Sequence, residues 1–265
     1  IGAMGGSAVE RSTRATDTSA PKVIEVEALV AGDLTRPASL QVHAGEVMAL
    51  YGLAGSGRSS LLNAIWGAIG WTGSMRLMGD AYAPRSPREA IARGVSCVPA
   101  DRHRSGLFLD QDLIFNKTLP LLSSYRRIRG LPVPHAASER DAFLVAAERV
   151  SLSYREPGQL ARTLSGGNQQ KLIFSRWANR HSRVMLLDEP TEGVDVMAKA
   201  TIKDIIRAIA ADGNAVLVST SDRDEALELG DRIAVFRQGG IVRIFSRAEA
   251  SAEALSAAAQ SREAA

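Results

Sequence analysis

The sequence predicts an α/β fold built on a largely parallel sheet. Short apolar runs of strand length alternate along the chain with segments of helical periodicity, as in strand–helix–strand units. A glycine-rich loop at 52–60 follows a strand predicted at 47–51 and opens a helix. The four apolar residues 184–187 predict a buried strand that ends in Asp188 and Glu189. Such sheets bind ligands at the carboxyl ends of their strands, which is where both features are expected.

The other elements follow from periodicity and turn residues. Further strands are predicted at 23–30, 40–43, 75–77, 94–99 and 215–219, with a hairpin at 233–236 and 241–245. Helices are predicted at 59–69, 87–92, 113–122, 141–150, 166–179, 197–210, 222–229 and 248–259. Loops are expected at 101–105, which is charged, and at 130–135, which contains proline.

The composition is that of an ordinary globular chain. Of its 265 residues 45% are hydrophobic and 23% charged, and residues 22–265 are expected to form one domain. Residues 1–21 are interpreted as an expression scar and a linker. The net charge of +3 is dispersed, so nucleic acid is not an expected partner, and no apolar run is long enough to cross a membrane. Cys97 is the single cysteine, which excludes an internal disulfide and fits a reducing cytosol.

The glycine-rich loop has the context and spacing of a phosphate-binding Walker A loop. Its glycines allow the backbone N–H groups to wrap an anion, and the Ser59 hydroxyl is expected to bind Mg²⁺. Arg58 stands where the pattern expects Lys, and its planar fork is larger than an ammonium group. One interpretation is retained binding with weakened hydrolysis, and the other is a drift with little effect. The residues assigned to phosphate binding are Gly52, Leu53, Ala54, Gly55, Ser56, Gly57, Arg58, Ser59 and Ser60.

Two further stretches are predicted to complete the site. Asp188 is expected to hold Mg²⁺ with Ser59, while Glu189 orients a water. The stretch Ser165-Gly166-Gly167-Asn168 opens a predicted helix and offers backbone N–H groups to a phosphate.

Together these stretches resemble the ATP-binding cassette (ABC) ATPases over about 23–259. The Asn-Gln-Gln-Lys continuation at 168–171, the Gly-Arg loop and the pair Asp101-Arg102 are similar to the ATPase subunits of bacterial ribose-, galactose- and xylose-type importers, in their C-terminal cassette. The resemblance implies a P-loop NTPase cassette with a RecA-like core, an antiparallel β subdomain and an α-helical subdomain at roughly 106–180. It also implies ATP and Mg²⁺ as ligands.

The resemblance assigns roles and exposes departures from the family pattern. Ser165-Gly166-Gly167 is expected to close over the ATP of an opposite cassette, and Asp195 matches the loop that crosses between cassettes. Ala100 replaces a usual Gln, and Ser221 takes the place of a His that contacts the γ-phosphate. With Glu189 and Ser221 as the catalytic pair, the chain's own site is expected to be a weakly active ATPase.

The implied partners are a second cassette, transmembrane permease subunits near 101–116 and, indirectly, an extracytoplasmic sugar-binding protein. The chain would then lie on the inner, cytoplasmic face of the membrane and support import of a sugar or similar small polar solute. The alternative is a catalytically silent module that supports a partner cassette. An ATPase that acts on DNA or ribosomes is disfavoured, because the sequence shows neither long coiled-coil insertions nor strongly basic arms. A small-molecule kinase is disfavoured because the Ser-Gly-Gly stretch serves no purpose in a monomeric phosphotransferase. The histidines are expected at the surface and not as metal ligands: His43, His103, His135 and His181.

Overall fold

The computed structural model describes residues 20–125, 135–178 and 182–260. The strands are β1 Lys22–Ala31, β2 Leu34–His43, β3 Val47–Tyr51, β4 Thr72–Leu77, β5 Asp80–Ala81, β6 Val95–Val98, β7 Val184–Asp188, β8 Ala215–Thr220, β9 Arg232–Arg237 and β10 Gly240–Ser246. The α-helices are α1 Arg58–Ile65, α2 Pro87–Ala92, α3 Leu113–Thr118, α4 Ala136–Arg149, α5 Gly166–Ser175, α6 Val196–Ala211, α7 Arg223–Leu229 and α8 Ala252–Gln260. A π-helical turn covers Arg102–Gly106, and 3₁₀ turns cover Leu119–Tyr125 and Ala161–Thr163.

The central sheet places the predicted site residues at one edge. Its six strands run in the order β10-β9-β3-β8-β7-β6, and all pairs are parallel except β9 with β10. Every residue of β3, β7 and β8 is buried, as expected for parallel strands covered on both faces. Tyr51 pairs with Thr220, and Asp188 pairs with Ser219, so the loops that follow these three strands start side by side.

A second, antiparallel sheet has the order β2-β1-β4-β5. Ile24 and Leu29 of this sheet share one core with Leu50 of β3 and Leu62 of α1. A run of helices lies between β6 and β7. The predicted fold class is therefore confirmed, whereas the helical-subdomain boundaries at 106–180 stay a prediction.

Several element boundaries differ from prediction. β2 begins at Leu34 and not at residue 40, and α4 begins at Ala136 and not at 141. α3 ends at Thr118, and the chain continues as a kinked 3₁₀ turn because Pro120 cannot donate a helical hydrogen bond. The loop expected at 101–105 is a π-helical turn. Parts of the predictions at 1–21, 130–135 and 166–179, and also His181, lie outside the described residues.

The surface placement of His43 is wrong. The His43 side chain is buried. The Glu46 carboxylate accepts a hydrogen bond from the His43 backbone N–H at 2.8 Å and lies 2.9 Å from the His43 Nδ1 atom. A polar partner three residues away makes this burial tolerable.

Among the described residues no helix is long and apolar enough to cross a bilayer.

Candidate functional site

The loop after β3 has a backbone that depends on glycine. Gly55 and Gly57 have φ of +74° and +100°, values that side chains rarely adopt. A Cβ on Gly52 would lie 2.5 Å from the Phe236 carbonyl oxygen, and one on Gly57 would lie 3.0 Å from the Leu34 Cα atom. The tip of the loop is open to solvent, so a ligand could approach its backbone.

The Arg58 guanidinium is buried at the sheet edge, with 5% of the residue exposed. Its Nη1 atom donates to Glu189 Oε1 at 3.1 Å and to Ser219 Oγ at 3.1 Å. Its Nε atom lies 3.4 Å from Ser56 Oγ. The fork of Arg58 therefore holds the carboxylate that was predicted to orient water.

Ser59 and Asp188 form an oxygen pair beside Arg58. The Ser59 hydroxyl donates to Asp188 Oδ1 at 3.0 Å, and Asp188 is 8% exposed. Burial raises the pKa of Asp188 above its usual value, against the lowering effect of hydrogen bonds from Ser219 and Ser59.

This oxygen pair fits Mg²⁺. That ion is usually held by one or two carboxylates, with phosphate oxygens and water completing its shell. The described residues hold no group of three or more acidic, His or Cys side chains that would form an all-protein metal cage. Ser59 and Asp188 therefore suit an ion that arrives with a phosphate ligand.

Glu189 sits in a constrained position at the end of β7. Its φ is +45°, in the left-handed region, and its N–H donates to the Ser219 carbonyl at 2.8 Å. The backbone N–H of Ser221 donates to Glu189 Oε1 at 2.9 Å. That oxygen thus accepts from both Arg58 and Ser221, which fixes the orientation of the carboxylate. Ser221 reaches Glu189 through its amide and not through its hydroxyl.

A second group of predicted residues gathers at the starts of α5 and α6. Ser165 caps α5 and accepts from the Asn168 side-chain amide at 3.1 Å. Asp195 caps α6 and accepts from the Ala198 N–H at 2.9 Å. A Cβ on Gly167 would lie 2.5 Å from the Ala198 Cβ, so the two helix starts are in close contact. Ser165, Gly167, Asn168 and Asp195 are therefore brought together.

The hydroxyl of Ser60 points elsewhere. It accepts from the Asp33 N–H at 3.0 Å, which ties the start of α1 to the β1–β2 turn. Any contact of Ser60 with phosphate would be through its backbone, and its assignment stays a prediction.

Residue-level reasoning missed two supporting groups. Ser219 contacts both Arg58 and Asp188. The sequence does indicate Ser219, because it is a polar residue near the end of an otherwise apolar strand. Glu225 is 3% exposed, and it accepts a hydrogen bond from the Thr220 hydroxyl and interacts with Thr191. Burial raises the pKa of Glu225. No sequence signal separated Glu225 from the solvent-facing acids of α7.

Comparison with known proteins gives consistent results. A sequence model of the ABC transporter family matches residues 35–192. The chain is 40% identical over 237 residues to a ribose import ATP-binding protein of Chromobacterium violaceum, a match that covers 89% of the chain and 47% of that relative. It is 42% identical over 221 residues to the ribose import ATP-binding protein of Pseudomonas putida, covering 83% of the chain and 43% of that relative. The chain spans less than half the length of these curated relatives.

Solved structures support the fold. A nucleotide-free ATP-binding cassette from an ABC transporter aligns with a TM-score of 0.74 at 20% identity, over 86% of this chain and 93% of the other. A bacterial ABC transporter cassette described as dimeric aligns with a TM-score of 0.70 at 22% identity, over 84% of this chain and 98% of the other. At 20% and 22% identity, both matches show the fold alone.

Proposed function

Because the chain belongs to the ABC transporter family, whose ATP-binding proteins are ATPases, we propose that it binds ATP with Mg²⁺ and hydrolyses it slowly at its own phosphate loop. The observation that carries this proposal is the 3.1 Å hydrogen bond from the Arg58 guanidinium to Glu189. The cation that the loop would aim at phosphate is instead bonded to the candidate general base.

Each residue of the site has a defined task in this proposal. The backbone N–H groups of 52–60 cradle the phosphates, and the start of α1 adds its dipole. Ser59 and Asp188 would hold Mg²⁺, which neutralises phosphate charge when bound. Glu189 would orient the attacking water. Oε1 of Glu189 already accepts hydrogen bonds from Arg58 and Ser221. We therefore expect this carboxylate to orient water poorly and hydrolysis to be slow.

The sugar-import role rests on the relatives. They are named ribose import ATP-binding proteins, and they are more than twice as long as the matched region. We infer that the chain corresponds to the C-terminal of two cassettes and acts at the inner face of the membrane. The first cassette, the permease subunits and an extracytoplasmic binding protein are the inferred partners. The substrate is a sugar or a similar small polar solute.

The two groups of site residues divide the labour. The cluster around Arg58 and Asp188 receives the chain's own ATP. Ser165-Gly166-Gly167 and Asp195 face the ATP held by the partner cassette. A fully silent module is the second candidate, because the Arg58–Glu189 contact could also stop hydrolysis entirely.

Calorimetric titration of ATP with Mg²⁺ into the purified chain tests the proposal. We expect a dissociation constant in the micromolar range, weakened at least about tenfold in Asp188→Asn, since one charge-assisted contact contributes roughly 1.5–3 kcal/mol. Ser74→Ala, on the other sheet, is the control and should bind as the wild type does. No heat of binding up to millimolar ATP would refute nucleotide binding. Binding with no measurable turnover would favour the silent module.

A further inference from the structure

The turn at Arg102–Gly106 lies in the connection between β6 and α3 and packs against α5. Asp101 caps it, accepting from the backbone N–H groups of His103 at 3.0 Å and Arg104 at 2.9 Å. Gly106 packs so closely against α5 that an added Cβ would lie 2.7 Å from Ile173 Cδ1. The His103 Nε2 atom lies 3.0 Å from Gln169 Oε1. The turn is therefore attached to α5 by side chains as well as by packing.

Arg102 extends this attachment to the segment before α6. Its Nη1 atom donates to the Glu192 carbonyl at 2.9 Å, and its Nη2 atom donates to the Gly193 carbonyl at 3.1 Å. One planar fork thus binds two successive carbonyl oxygens, a geometry that an ammonium group cannot reproduce.

The guanidinium of Arg102 also lies against the start of α5. A Cβ added to Gly193 would lie 3.2 Å from Arg102 Nη1, and a Cβ added to Gly166 would lie 3.3 Å from Arg102 Nη2. Gly193 has φ of +65°, so this position favours glycine by its backbone as well. Arg102 therefore sits between the stretch that contains Ser165 and the stretch that contains Asp195.

One donor of the Arg102 guanidinium takes no part in these contacts. The Nε atom of Arg102 is buried and has no hydrogen-bond partner among the described residues. An unpaired buried donor is unfavourable for folding. The two carbonyl bonds of the fork are therefore the contacts through which Arg102 holds the segment before α6.

We propose that Arg102 is a positioning residue that fixes segment 192–195 against the start of α5, so that Ser165 and Asp195 form one preformed surface for a second cassette. The inference rests on the proposed pairing of cassettes. In this proposal Arg102 also links the start of α5 to segment 192–195, so a movement of the 101–106 turn shifts both together.

Amide hydrogen exchange on the whole chain tests the positioning. In Arg102→Ala we expect the amides of Ala198 and Lys199, which donate to Asp195, to exchange at least about tenfold faster, which corresponds to about 1.4 kcal/mol of lost local protection. Arg102→Lys should recover only part of the protection, because one ammonium replaces a two-pronged fork. Arg88→Ala, an exposed arginine of α2, should leave these amides unchanged. Unchanged exchange in Arg102→Ala, or full recovery in Arg102→Lys, would overturn the proposal.

Steady-state ATP hydrolysis separates positioning from a general structural effect. We expect Arg102→Ala to lower kcat at least about tenfold while KM stays within about twofold, since the phosphate loop is untouched. A raised KM with unchanged kcat would overturn the proposal. A wild-type chain that fails to bind ATP would refute nucleotide binding, yet the exchange result would still decide whether Arg102 positions segment 192–195.

Discussion

At the scale of single residues, the candidate site is a set of polar contacts at the ends of three parallel strands. Arg58 is the first residue of α1, while its partners are Glu189, which directly follows β7, and Ser219 of β8. The sequence identifies Arg58 as an unusual residue. It cannot show where the guanidinium points, because the partners lie more than a hundred positions away and meet only in the folded sheet.

Asp188 carries a stability cost that follows from its burial. The folded pKa of Asp188 is raised, so the folded state binds the proton more tightly than the unfolded chain does. An acid of this kind loses stabilisation as pH rises from its unfolded pKa, about 3.9, through its folded pKa. Without nucleotide, we expect Asp188→Asn to raise the free energy of unfolding at pH 7, because the amide carries no charge that burial would desolvate.

Urea unfolding between about pH 4 and pH 8 measures this effect. The gain of Asp188→Asn should shrink towards about pH 4, where the unfolded carboxyl also becomes protonated. Asp204→Asn, an exposed change on α6, should alter stability by less than about 0.5 kcal/mol throughout. A variant less stable than wild type at pH 7 would contradict the assignment of burial as the dominant influence.

At the scale of elements, helix starts define the second group of site residues. Asp195 accepts from the Ala198 N–H and so caps α6. We expect Asp195→Ala to lower the free energy of unfolding by about 1 kcal/mol, whereas Asp195→Asn should lose only a few tenths, because Asn is an equally good cap. Urea denaturation of both variants provides the comparison. Equal losses would indicate that the charge of Asp195, and not its capping bond, stabilises α6.

The elements of the core were predictable, and the irregular parts were not. Strand β7 is an unbroken apolar run because it is buried on both faces, and helix α6 is periodic because it is buried on one side. The segment Arg102–Gly106 is charged and its apolar residues follow no helical period, so its pattern predicts a loop. In the structure it is a turn that Asp101 caps. His43 was misplaced because the Glu46 carboxylate that satisfies it is invisible in a pattern of polarity.

At the scale of the whole molecule, a buried ion cluster joins the two sheets. Glu46, beside β3, lies in hydrogen-bond contact with His43 of β2 and accepts from Arg232 of β9 at 3.1 Å. The Glu46 side chain is almost fully buried, at 1% exposure. This acid therefore links the antiparallel sheet to the central sheet near the ends opposite the candidate site.

Removal of Glu46 should weaken the entire fold. We expect Glu46→Ala to lower the free energy of unfolding by about 3 kcal/mol, since it leaves His43 and Arg232 without their buried partner. Urea unfolding followed by tryptophan fluorescence gives this value. Glu27→Ala, an exposed change on β1, should cost less than about 0.5 kcal/mol. A loss below about 1 kcal/mol in Glu46→Ala would mean that the cluster contributes little to joining the sheets.

Single-turnover hydrolysis, with the chain in excess over ATP and Mg²⁺ present, would decide whether Arg58 restrains Glu189. In Arg58→Lys we expect hydrolysis at least about tenfold faster than in wild type, because a lysine releases the carboxylate and a positioned base is worth about 10²–10⁴ in rate. The gain should vanish when Glu189→Gln is added. An Arg58→Lys rate equal to or below that of wild type would contradict the restraint.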